Sequence, residues 1–240
     1  MDQGWEDRAQ DWIAWARRPN FDGYWSYRDA FLDEVLPPAG RATLEIGCGE
    51  GRVARDLAAR GHRVTAIDAS PSLVRAATAA DPESTYRVAN AEALPFSDAA
   101  FDAVVAYNSL IDVQDLGTAV HEAARVLAPG GSMGVCVTHP VRDAGSYVDD
   151  SPGAAFVIEG SYRGGRPSFD RVFEREGLTM NFRGGHSYDL ETYSRAFETA
   201  GLLVRRIREP APSSIDRPGA PGLFRGRRIP VFLMMRLVKP

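Results

Sequence analysis

The chain reads as an open α/β protein built on a mostly parallel, helix-covered sheet. Three observations predict this. From residue 42 onward short apolar runs alternate with stretches of helical period, a glycine-rich turn joins the first run to the first helix, and an Asp closes the second run about twenty residues later. Strands alternating with helices of this length pair side by side, because a parallel return needs a crossover of a dozen or more residues.

Residues 1–36 hold all four tryptophans (Trp5, Trp12, Trp15, Trp25). Apolar positions recur there at helical spacing, as at Trp12, Trp15 and Ala16 and again at Tyr27, Ala30 and Phe31, so one or two helices are expected, ended by Pro37-Pro38-Ala39-Gly40. ATLEIG (42–47) is the first strand and RVARDLAARG (52–61) a helix closed by Gly61. RVTAID (63–68) is the second strand, and SPSLVRAATAAD (70–81) a helix with Ser70-Pro71 as N-cap and first-turn pair. STYRVAN (84–90) is a third strand, and FDAVVAYNSL (101–110) a fourth whose apolar run suits burial on both faces. DLGTAVHEAARVL (115–127) is a helix stopped by Pro129-Gly130-Gly131, and SMGVCVTH (132–139) the fifth strand.

The rhythm then breaks. Residues 140–186 are rich in Gly, Arg and aromatics, and AFVIEGSYR and LTMNFRGG within them read as short strands of a cap. DLETYSRAFETAG (189–201) is a helix, LLVRRIRE (202–209) a strand, and IPVFLMMRLV (229–238) a strongly apolar last strand. The connection 209–228 is longer than usual, as functional or mobile loops are.

Composition narrows the function. A chain of 240 residues, 44% hydrophobic and 25% charged, suits one globular core. A net charge of −4 lacks the basic surplus of nucleic-acid binders. No apolar run approaches the roughly 20 residues of a membrane span, and MDQGWEDRAQ has no signal-peptide core. Cys48 and Cys136 are far apart without CxxC spacing, which argues against a disulfide framework or a zinc site and for a reducing cytoplasm. Lys239 is the only Lys, a bias expected of a GC-rich bacterial genome.

The chemistry centres on Leu44-Glu45-Ile46-Gly47-Cys48-Gly49-Glu50-Gly51-Arg52. It lies between a strand and a helix, where a ligand meets backbone amides and the positive helix end, and its glycines remove side chains that would block approach. Alone it is also what a tight ligand-free turn looks like. Asp68, at the end of the second strand, is placed to accept the hydroxyls of a ribose; helix capping, its other common role, is already filled by Ser70. A dinucleotide fingerprint would place its third glycine at residue 52, which is Arg. Glu45 is an acid where a pyrophosphate would approach, and suits instead a ligand carrying an ammonium and a sulfonium.

LEIGCGEGR, VTAIDAS, NAEALPFSDAAFDAVVAYNSL and ARVLAPGG occur in this order, and over roughly residues 22–140 and 186–240 the chain resembles the class I S-adenosylmethionine (SAM)-dependent methyltransferases, in their small-molecule branch. The resemblance implies a Rossmann-like fold of seven strands, mostly parallel, with an antiparallel last strand inserted beside the fifth and helices on both faces. It implies one domain over residues 1–240, with an N-terminal helical lid (1–38) and a cap (140–186) after the fifth strand. SAM is the implied cofactor. Glu45 and the loop of Gly47, Cys48, Gly49 and Gly51 would cradle its methionine portion, Asp68 its ribose, and Ala69, Asn90, Ala91 and Glu92 its adenine. Many relatives have Asp where this chain has Asn90. Tyr107 and Asn108 would face the methionine and the methyl. The aromatic N-terminal residues have two readings of their own: a helix packed against the sheet edge, or a lid in which Tyr24, Trp25 and Tyr27 close over cofactor and substrate.

Methyl transfer to a hydroxyl or an acidic carbon also needs a base. His139, ending the fifth strand on the ligand side, and His186, entering from the cap, are the catalytic candidates; Tyr188 and Asn108 rank below them. His62 lies at the wrong end of the sheet and His121 is mid-helix. Arg163, Arg166, Arg171, Arg175 and Arg183 in the cap suit either an anionic substrate or a solvated surface that Asp170, Glu174 and Glu176 partly neutralise. The expected partner is a small-molecule substrate, with no nucleic acid, no membrane and no metal; monomer and homodimer stay open. Two other readings remain: a SAM-binding fold with a cyclase-like or structural role, and an NAD(P)-dependent oxidoreductase.

Overall fold

The computed structural model describes residues 3–36, 41–151, 153–164, 166–167, 171–182, 185–213 and 226–240. The expected stop at Pro37–Gly40 and most of the 209–228 connection lie outside the described residues. Three helices open the chain: α1 (Gln3–Asp7), α2 (Ala9–Ala16) and α3 (Tyr24–Glu34). There is one more than the sequence suggested, because the helical path breaks at Arg8 (φ −105°, ψ 6°) between α1 and α2; Pro19 and a left-handed Asn20 (φ 61°) separate α2 from α3. Then follow β1 (Ala42–Ile46), α4 (Arg52–Ala59), β2 (Arg63–Asp68), α5 (Pro71–Ala80), β3 (Thr85–Val88), β4 (Phe101–Tyr107), α6 (Leu116–Val126) and β5 (Leu127–Thr138). The segment after β5 carries α7 (Pro140–Asp143) and the short strands β6 (Gly145–Tyr147), β7 (Phe156–Ile158), β8 (Arg166–Pro167), β9 (Arg171–Arg175), β10 (Leu178–Phe182) and β11 (His186–Ser187). The chain ends with α8 (Leu190–Thr199), β12 (Leu203–Arg208) and β13 (Phe232–Val238).

Seven strands form one sheet in the order β12-β13-β5-β4-β1-β2-β3. Pairing is parallel from β5 through β3, while β13 runs antiparallel to both β5 and β12. With a strand on each side and helices above and below, β13 can carry FLMMRLV without exposing it. The chain winds outward from β1 in both directions, to β2 and to β4, and this reversal opens a crevice at the carboxyl ends of the two strands.

Alternation along the strands divides the core in two. Leu44, Ile46, Val104, Ala106, Met133 and Val135 face α6 and α8, meeting Val120, Tyr193 and Phe197. Val105, Tyr107, Cys136 and Met234 face α3 and α4, meeting Phe31, Val53 and Leu57. Helix starts follow the expected chemistry. The Ser70 hydroxyl accepts the Leu73 amide at 3.2 Å, and Asp115 and Asp189 cap α6 and α8 in the same way.

The strand boundary at β5 differs from expectation. The helix ends at Val126, and Leu127–Thr138 is one long strand rather than a helix end, a Pro-Gly-Gly turn and a strand. Leu127 pairs with Phe101, and after an irregularity Ser132 pairs with Ala103. At Gly131 a Cβ would stand 2.9 Å from the Asp102 carbonyl, so the glycine serves close approach to β4. The freed carbonyls of the helix end are taken up by Lys239, whose Nζ donates to Ala124 and Leu127 at 2.7 Å each. Among the described residues no helix is long and apolar enough to cross a membrane.

Leu44 is fully buried at the sheet centre. Leu44→Ala should lower unfolding free energy by about 2–5 kcal/mol, read from urea unfolding; a loss well under 1 kcal/mol would mean that the centre of the sheet repacks freely.

Candidate functional site

The crevice opens into a cavity of about 890 Å³, toward the upper end of the range for ligand sites. Its floor is the turn between β1 and α4. Gly47 (φ 70°) lets the chain pass over the β4 end, where a Cβ would come 2.3 Å from Ser109 Cβ, and Gly49 (φ 56°) lies under the Trp12 indole, whose Nε1 is 2.8 Å from where a Cβ would stand. Both positions require glycine on two counts, a left-handed backbone and contact with another element. The neighbouring strands hold the turn in place. The Gly49 amide donates to Asp68 at 2.8 Å, and the Ser109 hydroxyl donates to the Ile46 carbonyl at 2.5 Å.

Most of the expected cofactor residues line this cavity: Tyr24, Glu45, Gly47, Cys48, Gly49, Asp68, Ala69, Asn90, Ala91, Glu92, Tyr107 and Asn108. Gly51 does not. It starts α4 behind the turn, where a Cβ would meet Ala77 at 2.9 Å. Asp68 accepts from the amides of Gly49, Ser70 and Ala69 and, with about four acceptor sites on an ionised carboxylate, keeps capacity for a further donor. Other expected side chains are committed to the protein itself. Tyr24 donates its hydroxyl to Asp56 at 2.5 Å, Asn90 accepts the Glu92 amide at 3.0 Å, and Glu92 accepts the amides of Gln114 and Asp115. The Cys48 thiol is buried and pushed well up by that burial, which keeps it a thiol and removes it as a nucleophile.

Glu45 is the electrostatic centre of the site. It is 1% exposed, lines the cavity, and its Oε2 has no hydrogen-bond partner among the described residues. A buried carboxylate oxygen without a donor is costly, and it is complemented by a ligand that brings a cation. The ammonium of SAM is such a group, and Asp68 beside it suits vicinal hydroxyls. The site therefore fits SAM on its own chemistry.

Asn108 is also unusual. It holds a positive φ of 55°, donates its amide to the Cys136 carbonyl at 2.7 Å, and leaves Oδ1 buried and without a partner among the described residues. Strain with an unsatisfied acceptor at a strand end is typical of ligand-contacting positions.

The histidines lie elsewhere. His139 is buried but does not line the cavity; its Nδ1 accepts the Val141 amide at 3.2 Å and its Nε2 faces Glu209 at 2.8 Å, so the ring caps α7. His186 also stays outside the lining, although Gly185 and Ile111 belong to it; its amide donates to Ile111, its ring stacks on Tyr188, and its Nδ1 is buried without a partner among the described residues. Trp25 lies outside the lining too, under Arg28. Of the cap arginines, Arg175 lines the cavity and donates to the Phe21 carbonyl at 2.6 Å, tying cap to lid; Arg183, Asp170 and the side chains of Arg166 and Arg171 lie outside the described residues.

Sequence reasoning missed the fastenings of the N-terminal layer. Glu6 accepts from the hydroxyls of Ser70 and Ser72 and from the Ser72 amide at the start of α5; the Ser70 bond is the main influence holding its carboxyl down at about 2. Arg52 pairs with Asp22 at 2.7 Å and stacks between Trp12 and Tyr24, at 4.8 and 4.3 Å from the ring centroids. Acid-to-serine and Arg-to-aromatic contacts between distant segments leave no periodic mark.

An α/β sheet with a glycine turn, a strand-end Asp and an orphaned carboxylate at its switch point defines a nucleoside-binding enzyme domain. Residues 44–135 match the family described as a methyltransferase domain. An uncharacterised methyltransferase of Mycobacterium tuberculosis is 36% identical over 110 residues, 46% of this chain and 45% of that protein, so that the chain spans about half the length of this relative. A ubiquinone biosynthesis O-methyltransferase of Paracidovorax citrulli is 34% identical over 195 residues, 79% of each chain. The crystal structure of a SAM-dependent methyltransferase from Mesorhizobium loti superposes with a TM-score of 0.72 at 21% identity, over 90% of this chain and 97% of that one. The chain belongs to the class I SAM-dependent methyltransferases.

Burial, with the Asp68 charge second, holds the Glu45 carboxyl well above its ordinary 4.5. The native state then keeps a proton that the unfolded chain has lost, so ligand-free stability is greatest below the ordinary value and falls as pH rises toward the raised one. Glu45→Gln has no such proton. Urea midpoints of the two proteins should converge near about pH 4 and separate by about pH 7, with the variant more stable; parallel pH profiles would show that Glu45 ionises in the native protein as easily as in the unfolded chain.

Proposed function

We propose that this protein transfers the methyl group of SAM to an O, N or C atom of a small-molecule metabolite, in a bacterial cytoplasm, as a single catalytic domain with an N-terminal lid and an inserted cap. The orphaned Glu45 carboxylate facing the cavity is the observation that carries this reading. The O-methyltransferase name of the Paracidovorax citrulli relative favours oxygen as the acceptor.

When bound, SAM supplies a methyl group on a sulfonium, already activated for displacement. The chain's contribution is placement. In this reading Glu45 and the glycine turn 47–49 hold the methionine end, Asp68 takes the ribose hydroxyls, and Ala69 and the turn 90–92 flank the adenine. Tyr107 and Asn108 stand where the methyl meets its acceptor. Holding two reactants in line accounts for much of the acceleration of such a transfer, and the aromatic lid removes the water that would compete.

The base has a narrower basis. His139 has both ring nitrogens engaged and serves α7. His186, with a free Nδ1 behind the cavity wall, is the histidine retained, as a positioning residue for the 108–113 turn. An NAD-dependent reading fares worse, since Arg52 occupies the third glycine position and is consumed by Asp22 and two aromatic rings.

Calorimetric titration should show binding of SAM and S-adenosylhomocysteine and none of NAD. Asp68→Ala should weaken both sulfur nucleosides by about ten-fold or more, the scale of a charged hydrogen bond. Because a cation favours the charged form of Glu45, wild-type affinity for SAM should rise with pH above the ordinary carboxylate range, while that of Glu45→Gln stays flat. Folded protein silent toward both nucleosides would end the methyltransferase reading. Binding without methylation of any acceptor in a broad screen would favour the cyclase-like alternative.

A further inference from the structure

The part of the cavity beside Tyr27 on α3, Thr138 at the end of β5 and Arg142 on α7 is where an acceptor would lie. Arg142, on α7, lines the cavity, yet no carboxylate or carbonyl accepts from it among the described residues. Its guanidinium carbon lies near two rings instead, 5.6 Å from the Tyr147 centroid and 6.0 Å from that of Phe156. A guanidinium whose N–H groups meet no acceptor among the described residues matches a carboxylate with two parallel hydrogen bonds. Asp143, next to it in the chain and also in the cavity lining, accepts the Thr138 hydroxyl at 2.5 Å and is not paired with Arg142.

The Tyr27 hydroxyl completes the pattern. Tyr27 is 2% exposed, lines the same cavity, and its OH has no partner among the described residues. Burial pushes this phenol up to about 12, so it stays protonated as a donor, and Arg142 is the charge that opposes the rise, which puts the two groups within each other's field. A protonated phenol and a guanidinium edge, both lacking acceptors and both facing one space, call for an anion. The wall toward Tyr107 is apolar: the Tyr27 and Phe232 rings meet edge-on at 5.0 Å, and Tyr107 and Phe232 lie 6.3 Å apart.

We propose that Arg142 and Tyr27 form an anion subsite that takes the carboxylate of the acceptor molecule, whose apolar or aromatic body lies against Phe232 and Tyr107. The acceptor class is thus a small acid with a ring-sized apolar body. Asn108 follows β4 and Thr138 ends β5, neighbouring strands about 5 Å apart, and Arg142 is on the helix that follows β5; all three line the one cavity. The assignment rests on the methyl-transfer reading, since only then is this part of the cavity an acceptor site.

The test is a ligand-observed saturation-transfer NMR titration of benzoate and 3-phenylpropionate against benzamide and 3-phenylpropionamide, with and without S-adenosylhomocysteine. Wild-type protein should bind the acids at least about five-fold more tightly than the amides. Arg142→Gln should abolish that preference and weaken the acids by about ten-fold, the scale of a charge-assisted pair; Tyr27→Phe should weaken them by about three-fold. Acids and amides binding alike, or neither binding, in wild-type protein overturns the subsite without recourse to any variant. So does acid binding that survives Arg142→Gln. Calorimetry with S-adenosylhomocysteine and 5′-methylthioadenosine adds a third arm. If Arg142→Gln costs about ten-fold for the first and nothing for the second, the guanidinium serves the cofactor's own carboxylate and the subsite falls. Loss of nucleoside binding in wild-type protein marks failure of the methyltransferase reading itself, whereas intact nucleoside binding without acid preference marks failure of the subsite alone.

Discussion

The Asp68 carboxylate accepts the Gly49 amide from the turn after β1 and the Ser70 amide that opens α5, and through these two bonds β1, β2, α4 and α5 converge on one point. Everything at the crevice follows from how closely these elements approach. Gly47 passes over the end of β4 with no room for a Cβ, and Ser109, two residues beyond that strand, fastens to the Ile46 carbonyl. A turn held on both sides keeps its amides and Glu45 at fixed positions before any ligand arrives, and such preorganisation is what lets a site act on geometry alone.

The site is acidic at the floor and cationic at one wall. Glu45 lines the cavity with its carboxylate partly unsatisfied among the described residues, and Arg142 stands on α7 near the Tyr147 and Phe156 rings. In the proposed reading the first suits a cationic nucleoside and the second an acid.

The N-terminal layer is fastened in two places. Glu6 reaches the start of α5, Arg17 reaches Glu50 at 2.9 Å, Arg52 reaches Asp22, and Trp12 rests on Gly49. α3 instead packs into the core with Tyr27 and Phe31, and Arg206 and Arg208 of the edge strand β12 donate to Glu34. α1 and α2 lie outside the two main core clusters, and elements with few buried apolar contacts to the main core belong to the low-stability end of a fold.

Much of this was legible in the chain itself. The alternation from Ala42 to Thr138 fixed the strands and helices because period and burial are local consequences of residue type, and the turn at Gly47–Gly51 was visible because only glycine serves a left-handed backbone under close contact. Asp68 was found by its distance from that turn. The errors share a cause. The helix before β5 stops earlier than its Pro-Gly-Gly suggested because pairing with β4, a tertiary contact, draws residues 127–131 into the strand. His139 was marked by its place at a strand end, yet the fold turns its ring away to cap α7. Tyr27 was seen only as part of a lid and Arg142 was not seen at all. What the sequence by itself determined was the sheet, its turn and the class of ligand they accept, since these depend on backbone geometry and residue period. Which side chains face the cavity unpaired was decided only by tertiary structure, because a missing partner is a property of the surroundings and leaves no trace in the order of residues.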